Sequence, residues 1–172
     1  IRARNIVVAT GARPFVPPIE GIDQVSYYTS DNLWELRKKP QKMVVLGGGP
    51  IGAELSQSFA RLGVDVTQVE MGARIMGRED PEVSALVEQK FTAEGIKVLV
   101  NHRAKQFVQR NGQQFLIAEH ADQDVEIGFD TLLVAVGRSA NTAGFGLEEL
   151  GVRLTARGTI EVDEFLQTSI PT

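Results

Sequence analysis

Three glycines in the stretch "MVVLGGGPIGAE" are the first residues whose spacing could do chemistry. Gly47, Gly49 and Gly52 stand in the three places of G-x-G-x-x-G, directly after a β-branched run and directly before an apolar helical pattern. In that context each glycine has a separate use. Gly47 allows a tight turn, Gly49 lets a pyrophosphate approach the backbone, and Gly52 lets helix and strand pack closely. The unpaired N–H groups of the helix start would meet the phosphates. The competing reading is a tight strand-to-helix turn with no ligand, and Gly48 has no role in either reading beyond flexibility.

A second signal is independent of the glycines. A dinucleotide site expects an acid about 20 residues further on, at the end of the next strand. Glu70 closes "VTQVE" at that place. Its carboxylate can accept hydrogen bonds from both ribose hydroxyls and would repel a 2′-phosphate, which favours NAD(H) over NADP(H). Arg74 and Arg78 lie close by and could accommodate that phosphate. As a bare loop acid, Glu70 would simply be solvated. Glu54 is placed within the first turn of the glycine helix, where a carboxylate suits the helix dipole.

Other chemistries lack their residues. The chain has no cysteine, so it offers no thiol nucleophile, redox disulfide or zinc–thiolate site. His102 and His120 are isolated in sequence and read as surface polar residues. Among 172 residues, 42% are hydrophobic and 23% charged, with net charge −4. That is a globular composition with no basic excess to attract nucleic acid or an anionic membrane. No apolar run reaches the roughly 20 residues of a membrane span, and no signal peptide is visible, so a cytoplasmic location is expected.

The elements that must hold these residues follow from hydrophobic period and punctuation. Residues 5–10 ("NIVVAT") read as a buried strand stopped by Gly11, and the proline-rich "GARPFVPPIEG" reads as a linker. "TSDNLWELRKKP" reads as a short helix capped by Ser30 or Asp31 and ended by Pro40. Then come a strand over 42–46, a helix over 50–62 with Pro50 at its first position, and a strand over 64–70. A second helix follows, opened by Asp80 and Pro81 and stopped by Gly95, with a third strand in "IKVLVN". This order predicts the α/β class, a Rossmann-like parallel sheet of βαβ units. Asn111-Gly112 predicts an inserted antiparallel hairpin or meander before a buried strand over 130–137. "TIEVDEFLQT" has strand character.

At "VVATGARP", "VVLGGGPIGAELSQSFARLGVDVTQVE", "REDPEV", "LLVAVGRSANT" and "IEVDEFLQTSIP" the chain resembles the FAD-dependent pyridine nucleotide–disulfide oxidoreductases, closest to the dihydrolipoamide dehydrogenase and mercuric reductase-like members. The resemblance implies an NAD(H)-binding domain over 39–136 inserted into an FAD domain, whose remnants are 1–38 and 137–172. It implies that the chain is a central piece of a longer homodimeric parent. The redox cysteine pair, most of the FAD site and the dimerisation domain would then lie elsewhere in that parent. It also assigns residues. Gly47, Gly49, Pro50, Ile51 and Gly52 match the pyrophosphate and nicotinamide loop, with Pro50 where other members carry an aromatic gate. Glu54 matches a glutamate near nicotinamide and flavin, and Glu70 matches the ribose acid. Ala104 falls where valine often lies beside adenine, and Gly137 matches a backbone contact to the nucleotide. Thr10, Gly11, Arg138 and Asn141 match FAD-side positions. The implied chemistry is hydride transfer between nicotinamide and flavin, with no activity expected of this piece alone. A flavoenzyme without the cysteine pair (an NADH oxidase or ferredoxin-reductase-like protein) and a non-catalytic nucleotide-binding module are the alternatives.

Overall fold

The computed structural model describes residues 3–170. Two compact units emerge, one over Pro14–Gly137 and one joining residues 3–13 to 138–170. Strand β1 (Ala12–Pro14), all but its last residue in the smaller unit, pairs with β10 (Arg138–Ala140).

The larger unit is built on a five-stranded sheet. Its strands are β2 (Tyr27–Tyr28), β3 (Lys42–Leu46), β4 (Asp65–Val69), β5 (Lys97–Leu99) and β9 (Thr131–Val134). Their order is β2-β9-β3-β4-β5, and every pair is parallel. Helix α1 (Pro50–Arg61) connects β3 to β4, and α2 (Pro81–Ala93) connects β4 to β5. Strands β6 (Arg103–Arg110), β7 (Gln113–His120) and β8 (Gln123–Phe129) form an antiparallel meander before the chain returns as β9.

Alternation along β3 explains the layering. Met43 and Val45 pack with Ala53 of α1 and Phe91 of α2, while Val44 and Leu46 pack with Phe107, Leu116 and Phe129 of the meander. A strand covered on both faces must be apolar at every position, and residues 43–46 are all buried. The meander therefore does on one face of the sheet what the helices do on the other. Its first turn has Asn111 at φ 52° and Gly112 at φ 77°, the two positive values that a two-residue hairpin turn requires.

Three expectations change. Residues 5–10 form no strand: Ile6 and Val7 are largely exposed. The helix expected from "TSDNLWELRKKP" is one 3-10 turn, Leu33–Glu35, with Asn32 at its start rather than Ser30 or Asp31. The Asn32 carboxamide oxygen instead accepts from the Thr29 N–H at 2.7 Å, which closes a turn and leaves no cap. "TIEVDEFLQT" reduces to a single bridge between Leu154 and Ile160. Residues 14–38 fall within the larger unit, where β2 extends the sheet beside β9.

The C-terminal ends of α1 and α2 are joined through Glu94. Its carboxylate accepts from Arg61 Nη2 at 2.9 Å, from Arg61 Nε at 3.0 Å and from Gln57 Nε2 at 3.1 Å. The Arg61 hydrogen bonds hold its carboxyl down to about 2, from an ordinary value of 4.5. A carboxyl depressed by folding stabilises the fold fully above its unfolded pKa and stops doing so as pH falls through the folded value. Arg61→Ala should therefore lower the urea midpoint at pH 7, and the gap to wild type should close between about pH 4.5 and pH 2. A gap that persists unchanged at pH 2 would show that the effect is not Glu94 ionisation.

Candidate dinucleotide site

The candidate residues meet at the carboxyl edge of the parallel sheet. Strand β3 is followed by neighbours on opposite sides, β4 through α1 and β9 through the meander. The chain reverses its direction of sheet growth between β3 and β9, and crevices at such switch points are where open α/β sheets bind ligands. The glycine turn leaves β3 there.

Each glycine of the turn answers to a different neighbour. Gly47 has φ 115°, and a Cβ on it would lie 2.4 Å from the Ala135 carbonyl oxygen. A Cβ on Gly52 would lie 2.2 Å from the Gly47 carbonyl oxygen. Gly49 is different: apart from its chain neighbours, nothing among the described residues lies within 4 Å of where its Cβ would stand. No internal contact requires glycine at 49, and its bare backbone opens outward beside the start of α1, where Pro50 is the first helical residue. Open space over a helix N-terminus fits an approaching phosphate.

Glu70 is clasped. One carboxylate oxygen accepts from the Gly48 N–H at 2.6 Å and the other from the Gly72 N–H at 2.6 Å. A Cβ on Gly48 would stand 2.9 Å from Glu70 Cγ and Oε2. Gly48, which the fingerprint leaves unassigned, thus gives Glu70 both a donor and the room to sit beside the turn. The backbone around the acid is tied down as well. The Met76 N–H reaches the Gly48 carbonyl at 2.6 Å, the Asn101 N–H that of Gly72 at 2.8 Å, and the His102 N–H that of Glu70 at 3.0 Å. Buried Ser84 of α2 donates to the Ile75 carbonyl at 2.6 Å, anchoring the loop from the other side. Ionised carboxylates held by backbone amides keep their remaining lone pairs available for hydroxyl donors.

The other expected residues divide. Pro50 and Ile51 start α1 beside the turn, and Gly137 lies three residues past the end of β9, two beyond Ala135. Glu54 is exposed on the second turn of α1, and the first turn holds no acid, so the dipole reading fails. Ala104 packs against the apolar cluster under the meander, with no hydrogen bond to the glycine turn. Arg74 is occupied: its guanidinium donates to the carbonyls of Glu79 at 2.9 Å and Gly77 at 3.0 Å.

The histidines are neither isolated nor both on the surface. His102 is buried, and its ring stacks on that of His120 at 4.2 Å and 10°. The β6–β7 pairing brings together residues that are distant in sequence, which spacing alone could not reveal.

In the smaller unit, Thr10, Gly11, Arg138 and Asn141 gather in one place. Thr10 Oγ1 donates to the Asn141 carbonyl at 2.6 Å, Asn141 Nδ2 to the Thr10 carbonyl at 3.0 Å, and the Asn141 N–H to the Gly11 carbonyl at 3.0 Å. Arg138 Nη2 donates to the Ala12 carbonyl.

The family model for pyridine nucleotide-disulphide oxidoreductases matches residues 1–172. The chain belongs to that family. It is 41% identical over 172 residues to a mercuric reductase of Streptomyces lividans, covering 99% of this chain and 36% of that protein. It is 37% identical to a dihydrolipoyl dehydrogenase of Chlamydia pneumoniae, again over 99% of this chain and 36% of that protein. Among solved structures, the HOCl-induced flavoprotein disulfide reductase RclA from Escherichia coli matches with a TM-score of 0.82 and 32% identity, over 93% of this chain and 36% of that one. A water-forming NADH oxidase from Lactobacillus brevis bound to NADH matches with a TM-score of 0.79 and 25% identity, over 92% and 35%. The chain thus spans about a third of these relatives' length, and the family's α/β architecture is that of its described residues.

Proposed function

We propose that this oxidoreductase-family chain is the NAD(H)-binding segment of an FAD-dependent enzyme, which positions nicotinamide for hydride exchange with flavin. The observation that carries this reading is the clasped Glu70 carboxylate beside a glycine turn whose Gly49 is open. Gly47 and Gly52 shape the turn, Gly49 with the start of α1 receives the pyrophosphate, and Glu70 receives the adenosine ribose. When bound, the nicotinamide supplies the hydride chemistry; the chain supplies position and electrostatics. Pro50, Ile51, Glu54 and Gly137 border the nicotinamide end, and Ala104 belongs to the adenine side. Thr10, Gly11, Arg138 and Asn141 belong to flavin binding, with most of that site and a dimerisation domain contributed by the rest of the parent.

NAD(H) is favoured over NADP(H) for two reasons. Glu70 repels a 2′-phosphate, and Arg74, the nearest arginine in sequence, is already bonded to loop carbonyls. The parent substrate class is a disulfide or metal ion, as the names of the reductase relatives suggest. An NADH oxidase parent is the second reading, favoured by the oxidase match. Redox cysteines in the parent's FAD domain would decide between them.

Thermal unfolding with added coenzyme tests the binding assignment. A ligand that binds only the folded state at 100 times its dissociation constant adds about 2.7 kcal/mol. NADH should raise the Tm by several degrees and NADPH by less at equal concentration. No shift with either, or a larger shift with NADPH, would overturn the assignment.

A further inference from the structure

Gln68 is a fully buried polar residue with no place in the glycine fingerprint. It sits in β4 with no exposed surface, on the helix-facing side together with Val66 and two residues before Glu70. Its Nε2 donates to the Gly47 carbonyl at 3.0 Å. Its Oε1 is buried with no hydrogen-bond partner among the described residues, and so is the hydroxyl of Ser56 on α1. A Cβ on Gly52 would stand 3.1 Å from Gln68 Nε2, so the carboxamide lies against the first turn of α1, and Ser56 is one turn further along that face. A serine O–H donates and an amide oxygen accepts; the two orphan atoms are complementary.

The Gly47 carbonyl matters because it shares a peptide plane with the Gly48 N–H. In a trans peptide these two groups point in opposite directions. Gln68 pulls on one end of that plane at 3.0 Å, and Glu70 takes the other end at 2.6 Å. Gln68 in β4 and Glu70 just past its end therefore fix the peptide on which the acid's own position depends. An apolar side chain of the same volume would fill the space without burying an unsatisfied oxygen, so packing gives no reason for glutamine here.

We propose that Gln68 is a positioning residue for the dinucleotide site: it sets the Gly47–Gly48 peptide and thereby the Glu70 carboxylate, and Ser56 orients its carboxamide through a water-bridged hydrogen bond to Oε1. This rests on the NAD(H) reading for its effect on binding, but not for its effect on the peptide.

The test uses the whole chain and the variants Gln68→Met and Ser56→Ala. Gln68→Met keeps the volume and removes the donor. Its Gly48 amide resonance should move upfield as the bond to Glu70 loosens. Its NADH dissociation constant should rise about tenfold, and NADPH affinity should fall less, so the preference for NADH narrows. Ser56→Ala should move both readouts the same way by a smaller amount and add little in the double variant. Phe91→Leu, a core change on α2, serves as a control that lowers stability without moving either. A Gly48 amide unchanged in both variants overturns the proposal, as does a loss shared equally by NADH and NADPH. If wild type binds neither coenzyme yet the Gly48 amide still moves in the variants, the positioning role stands and the coenzyme reading falls. If Gln68→Met does not fold, Ser56→Ala decides alone by the same readouts.

Discussion

Gly47→Ala is expected to cost about 3 kcal/mol of stability and to abolish measurable NADH binding. At φ 115° a side chain is strained by about 1–3 kcal/mol. The new methyl would also stand 2.4 Å from the Ala135 carbonyl oxygen. That atom is backbone of the segment leaving β9, and the Ala135 N–H is itself bonded to the Leu46 carbonyl at 2.8 Å. Relief must come from moving one central strand end against another, and overpacking of this kind adds a further 1–3 kcal/mol or so. In a domain of this size the expected fall in Tm is roughly 6–12 °C. An alanine variant with wild-type Tm and wild-type NADH affinity would show that the turn does not need the geometry described.

Glu70→Ala is expected to produce the largest change in coenzyme preference. The substitution leaves the Gly48 and Gly72 amides without their acceptor and removes the ribose acceptor. A hydrogen bond to a charged group contributes about 1.5–3 kcal/mol, so NADH affinity should fall by roughly 10- to 100-fold. NADPH should weaken far less, because the same change removes the charge that repels its 2′-phosphate. Fluorescence titration of the two coenzymes measures this directly. Equal losses for NADH and NADPH would remove Glu70 as the discriminating residue while leaving it a structural one.

Much of the site could be read from the sequence because its parts are local. The strand before Gly47, the proline start of α1 and the acid at the end of β4 are each signalled within a few residues. Asn111-Gly112 announced the meander for the same reason. What escaped depends on contacts between distant segments. The run at 5–10 has strand composition, but a strand is defined by its partner. His102 looked like a surface residue because its partner His120 arrives from the far end of a hairpin. Gly48 looked like mere flexibility because the residue needing its space is Glu70, just past the end of the next strand. Gln68 carried a readable signal: a polar residue at a position whose strand neighbours, Val66 and Val69, are fully buried. Such a residue is either bonded or costly, and the Gly47 carbonyl shows to which group it is bonded.

An amide NMR titration of the chain with NADH tests the coenzyme assignment residue by residue. Saturable shifts are expected at Gly48, Gly49, Ile51 and Gly52 and at Glu70 and Gly72, with weaker shifts at the same places for NADPH. Shifts that fail to saturate, or that cluster away from the glycine turn and Glu70, would contradict that assignment.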